Sequence, residues 1–66
     1  MKVYTLWQMQ EKNPDYIFIT SYGENTKVVK SFSKEDTIPQ FLWEEDVKSW
    51  SLLPAYNTKT SLRIEI

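Results

Sequence analysis

The stretch Tyr16-Ile17-Phe18-Ile19-Thr20-Ser21-Tyr22 constrains the fold more than any other part of this chain. Aromatic and β-branched residues at that density favour extended backbone. Side chains alternate across a strand, so Tyr16, Phe18, Thr20 and Tyr22 fall on one face and Ile17, Ile19 and Ser21 on the other. Both faces are partly apolar. A strand built from these residues needs cover on two sides, or it leaves an aromatic row in solvent.

The neighbouring segments supply strand partners. Residues 26–32, Thr-Lys-Val-Val-Lys-Ser-Phe, follow the turn chemistry of Gly23-Glu24-Asn25 and read as the second arm of a hairpin. Residues 2–9, Lys-Val-Tyr-Thr-Leu-Trp-Gln-Met, are also rich in β-formers and lead into the turn residues Asn13, Pro14 and Asp15. These three segments predict a β-meander. Residues 60–66 alternate cleanly, with Leu62, Ile64 and Ile66 on one side and Ser61, Arg63 and Glu65 on the other, the pattern of a half-exposed antiparallel strand. Between them, Thr37 precedes Ile38-Pro39, and proline is well placed in a first helical turn. Ile38, Phe41 and Leu42 then share a helical face, which predicts a helix over 38–46 with a short turn after it; Pro54 and Asn57 mark a loop.

The expected architecture is therefore α+β: a small antiparallel sheet made of a three-strand meander, then a short helix, then a fourth strand. One short helix covers only one sheet face. The sheet must either curl toward a barrel or expose an aromatic face, and exposed apolar patches mark interaction sites.

Composition decides which chemistries are available. Sixty-six residues make one domain, spanning 1–66. A domain of about 60 residues buries only about 60% of its unfolded surface, and chains this small often rely on disulfides, metal or self-association. This one has no Cys and no His, which removes disulfides, thiol and imidazole catalysis, and the usual zinc ligands. Its three Trp, four Tyr and three Phe are the expected source of core packing, with a homodimer as the other support. Hydrophobic residues make up 41% and the net charge is −1, which is not the signature of disorder. No apolar run approaches the roughly 18 residues that span a bilayer, and the first residues lack the apolar stretch of a signal peptide. Together with the absence of Cys, these features place the expected location in the cytoplasm, with no membrane association.

Gly23 is the only glycine, so no phosphate-binding loop can form. Glu44, Glu45 and Asp46 are contiguous and would point about 100° apart on a helix, so they do not converge on a cation. No metal, cofactor or catalytic role is expected, and a chain of this size rarely encloses an enzyme pocket.

Binding remains. Residues 33–46 carry Lys34 against Glu35, Asp36, Glu44, Glu45 and Asp46, an acidic island in a mildly basic frame. Trp43 and Trp50 flank the three contiguous acids, giving aromatic anchors with a charged rim. Trp43, Glu44, Glu45, Asp46 and Trp50 are therefore the expected contacts of a protein partner. A second reading places single-stranded nucleic acid on the sheet face, with bases stacked on Tyr16, Phe18 and Tyr22 and phosphates met by Lys27 and Lys30; the pI near 5.3 weighs against it. A third has a nucleotide-like ligand held at a homo-oligomer interface. No motif matches a family that can be named. In general character the chain looks like the small, cysteine-free accessory proteins of phages and mobile elements, and that resemblance implies a regulator or inhibitor that binds a host protein.

Overall fold

The computed structural model describes residues 1–66. Its first element corrects an expectation. Val3–Met9 is not a strand but an α-helix, α1. Val3, Leu6 and Trp7 stand at i, i+3 and i+4, and this helical stripe faces the core: Val3 and Leu6 are fully buried and Trp7 packs against them. Burial of that stripe outweighs the β-propensity of the individual residues. The start of the helix is also held from a distance. The Val3 amide donates to the Glu45 carbonyl at 3.0 Å, and the Val47 amide donates to the Met1 carbonyl at 2.7 Å. Lys2 and Asp46 form the bridge between these two bonds.

The hairpin follows. Strand β1 spans Tyr16–Gly23 and β2 spans Thr26–Ser33, antiparallel with Gly23 opposite Thr26. The connection is thus the two residues Glu24 and Asn25, and Asn25 takes the left-handed conformation (φ 58°) that Asn tolerates better than most residues. A short helix, α2, covers Gln40–Trp43, with Pro39 before it and Glu44 after it. It is shorter than the expected 38–46, because the chain turns at Glu45 to meet residues 1–3. Ile38, in the chain before the helix, and Leu42 within it are both buried, while Phe41 is exposed. The chain then forms an unexpected strand, β3, over Ser49–Pro54, passes through a 3-10 turn at Tyr56–Thr58, and ends in β4, Thr60–Glu65.

The sheet order is β2-β1-β4-β3. β1 and β4 run parallel at the centre, and each has an antiparallel neighbour outside it. The α+β class stands, but there is no three-strand meander: two hairpins meet at a parallel seam. β2 and β3 are both free edges, so the sheet is open and not a barrel.

The seam makes the core. Ile17 lies opposite Leu62 and Ile19 opposite Ile64. These four, with Val3, Leu6, Ile38 and Leu42 from the helix layer, are the buried hydrophobic cluster. It is wholly aliphatic. The expected aromatic core is absent: Trp7, Tyr16, Phe18, Phe32 and Trp43 are half-buried, and Tyr4, Tyr22, Phe41, Trp50 and Tyr56 are exposed. The aliphatic residues fill the layer between helices and sheet, and the larger rings lie around and outside it. No helix is long and apolar enough to cross a membrane.

Candidate functional site

The helix layer covers one sheet face only. On the other, alternation from the buried residues Ile17 and Ile19 presents Tyr16, Phe18, Thr20 and Tyr22 from β1. The strand registers add Lys27 beside Tyr22, and Arg63 beside Phe18. The aromatic rings are capped by cations. The Arg63 guanidinium lies 4.9 Å from the Phe18 ring centroid, and the Lys59 ammonium 5.6 Å from that of Tyr16. Tyr16 and Phe18 are themselves 6.5 Å apart and tilted by 41°. Beyond Phe18, a shallow cleft of about 430 Å³ opens between Tyr22, Lys27 and Val29 on one side and Ser49, Ser51 and Glu65 on the other.

Lys30 does not belong to this face. A three-residue connection at 23–25 would set Phe18 opposite Lys30; the two-residue turn sets Lys30 opposite Ile19, on the helix side. There its ammonium lies 5.3 Å from the Phe41 ring centroid. Of the expected sheet-face residues, the structure thus brings together Tyr16, Phe18, Tyr22 and Lys27. It adds Arg63 and Lys59, which the sequence pattern did not single out. The outward direction of Arg63 was legible from alternation, but its place beside Phe18 depends on pairing across 45 residues.

The expected partner-binding set is divided. Trp43 is half-buried and meets Trp7 edge-on, with centroids 6.0 Å apart and planes at 66°. Trp7, Trp43, Tyr4, Gln8 and Gln40 line an open cleft of about 320 Å³ on the helix layer. Glu44, Glu45 and Asp46 follow directly and are exposed. The Gln40 side-chain amide donates to Glu44 at 3.2 Å, and Lys2 pairs with Asp46 at 3.3 Å. That pair is solvent-exposed and adds little stability. Trp50 sits elsewhere, on edge strand β3, in a separate cleft with Met9 and Leu52. The structure therefore keeps Glu44 beside Trp43, through Gln40, and adds Tyr4 and Trp7 to them, while Asp46 turns to Lys2 and Glu45 lines a different cleft with Phe41, Leu42 and Lys30. The signal for Trp7 was its place in the Val3-Leu6-Trp7 stripe.

One carboxylate has a structural task. Asp15 accepts the Thr60 amide at 2.9 Å and faces Lys34 at 3.5 Å. The Thr60 hydrogen bond holds its carboxyl below the usual carboxylate range; its partial desolvation opposes this, and the Lys34 and Lys59 charges assist. No group of three Asp or Glu side chains converges as a metal site would require. Comparisons with known families, curated proteins and solved structures returned no match.

Proposed function

We propose that this chain is a non-enzymatic protein-interaction module acting in the cytoplasm, a regulator or inhibitor that docks on a host protein through the outer face of its helix layer. The observation that carries the reading is the edge-to-face pair of Trp7 and Trp43 lining an open cleft, beside the exposed carboxylate of Glu44, which accepts from the cleft residue Gln40 and opens the acidic run Glu44-Glu45-Asp46. Aromatic anchors of this kind dominate interface energies, and an acidic rim selects a basic partner surface and accelerates encounter with it. The residues are held by the backbone links of 1–3 to 45–47, so the site is preorganised. The test is affinity capture with the intact chain and with the double variant Glu44→Lys, Glu45→Lys. Both side chains are exposed, so the fold is retained. The expected result is a basic protein retained by the native chain and lost by the variant. Equal recovery by both removes this site.

A second reading rests on a different observation, the stacking of Arg63 on Phe18 and Lys59 on Tyr16, with Lys27 on the same face. Aromatic rings interleaved with cations suit single-stranded nucleic acid. Such binding weakens steeply with salt. An oligothymidylate titrated at low salt would bind the native chain and not Arg63→Glu. No binding at low salt ends this reading.

A further inference from the structure

The two free edges of the sheet are built differently. Edge strand β2 carries Lys27 and Lys30, charges of the kind that discourage pairing with another chain. Edge strand β3, Ser49–Pro54, carries no charge, and every residue in it is exposed. Trp50 is 45% exposed, Leu52 49% and Leu53 42%.

The hydrogen-bond directions along β3 follow from its pairing with β4. The Ala55 amide donates to the Lys59 carbonyl at 2.7 Å, which continues the register that pairs Pro54 with Thr60. Bonded pairs alternate along an antiparallel ladder. Ser49, Ser51 and Leu53 therefore turn their amides and carbonyls toward β4, and Trp50 and Leu52 turn theirs outward. Pro54 occupies the next outward position, where a missing N–H removes nothing from the β3–β4 ladder.

We infer that β3 pairs antiparallel with β3 of a second copy of this chain, about a two-fold axis at Ser51, joining the two sheets into one. In this register Trp50 lies opposite Leu52 of the second copy, and Leu52 opposite its Trp50. Each pair exchanges both of its backbone hydrogen bonds, so every outward amide of Trp50 and Leu52 finds an acceptor. Centring the axis on Leu52 instead would set Trp50 opposite Pro54, which has no amide to return. The Ser51 register also places like side chains well. Trp50 and Leu52 from both copies form one apolar cluster on the helix side, extended by exposed Met9, which lines the same cleft as Trp50 and Leu52. Lys48 falls opposite Pro54, so no like charges meet. A contact of one strand edge and its flanking side chains lies at the small end of specific interfaces, so association is concentration-dependent. The residues lining the Trp7–Trp43 cleft are not used, and the dimer stands independently of the function proposed above.

The test combines sedimentation with amide exchange on the full chain. The native protein is expected to double its mass along a series reaching about 1 mM, the weak end of measurable association. Over the same series the Trp50 and Leu52 amides gain protection, while those of Ser51 and Leu53 are protected throughout. Leu52→Lys puts a charge on the edge and is expected to stay monomeric; Val28→Lys, on edge strand β2, is expected to dimerise like the native chain. A native chain that remains monomeric at every concentration overturns the inference. So does a dimer in which Trp50 and Leu52 exchange freely, or one that Leu52→Lys preserves. The exchange pattern of the native protein decides the matter even where a variant fails to fold.

Discussion

The two faces of the central seam are made by the same strands and do opposite work. Toward the helices, Ile17, Ile19, Leu62 and Ile64 are almost fully buried. Toward solvent, the alternate positions Tyr16, Phe18 and Thr20 are half-buried, beside exposed Arg63 and Glu65. The covered face is branched aliphatic and dry. The open face is aromatic, and its cover is the side chains of its own cations. The larger rings thus lie where a surface must tolerate water, and the smaller branched chains fill the layer beneath the helices. Arg and Lys stems cover aromatic surface while their charges stay hydrated, which lets a 66-residue chain leave one sheet face without a second helix layer.

The covered face carries the larger share of the stability. Leu62→Ala removes a fully buried side chain between β1, β3 and the helix layer. Such truncations cost about 2–5 kcal/mol. A chain of this length has a total stability of roughly 3–10 kcal/mol, so the variant is expected to be largely unfolded or to melt far lower in a circular-dichroism scan. On the open face, Phe18→Ala, one position along from Ile17, is expected to cost less, about 1–2 kcal/mol, because part of the ring is already hydrated. A larger loss for Phe18→Ala than for Leu62→Ala would reverse the assignment of the faces.

The division of labour was only partly legible in the sequence. Alternation and turn residues located β1, β2 and β4 to within about a residue, since period-2 patterning and local turn chemistry are short-range signals. The helix α1 was hidden because its residues are β-formers, and its decisive bonds come from Glu45 and Val47, more than 40 residues away. Strand β3 did leave a trace in Ser49-Trp50-Ser51-Leu52, an alternation too short to stand out between the helical pattern before it and the loop residues Pro54 and Asn57 after it. The site residues divide in the same way. The aromatic row of β1 could be read from its own strand. The cations that cap it could not, because a parallel seam between residues 16–20 and 61–65 has no local signature.

A smaller effect separates ring from cation. The Arg63–Phe18 contact is exposed, and such cation–π pairs contribute about 0.5–1 kcal/mol. A double-mutant cycle of Arg63→Ala and Phe18→Ala, read by denaturant unfolding, is expected to show a coupling of that size. Zero coupling would mean that the guanidinium lies over the ring without stabilising it, and the open face would then be aromatic surface without cover.

The most subtle change acts on what assigns the faces. A strand that slips by one residue turns every side chain to the other side of the sheet, which here would exchange the isoleucine row with the aromatic row. Asp15 stands at the start of the seam: its amide donates to the Thr60 carbonyl at 3.0 Å, and its carboxylate accepts the Thr60 amide at 2.9 Å, immediately before Tyr16 pairs with Ser61. The folded-state pKa of Asp15 is lowered, chiefly by that bond to Thr60. The stabilisation it brings is therefore complete above the unfolded value of about 3.9 and is lost as pH falls through the lower folded value. Asp15→Asn keeps an acceptor for Thr60 but has no charge to titrate. Its melting temperature is expected to lie modestly below that of the native chain at neutral pH, and the gap to close as the solution is acidified below about pH 4. A gap that persists unchanged at low pH would show that the carboxylate charge plays no part in holding the register.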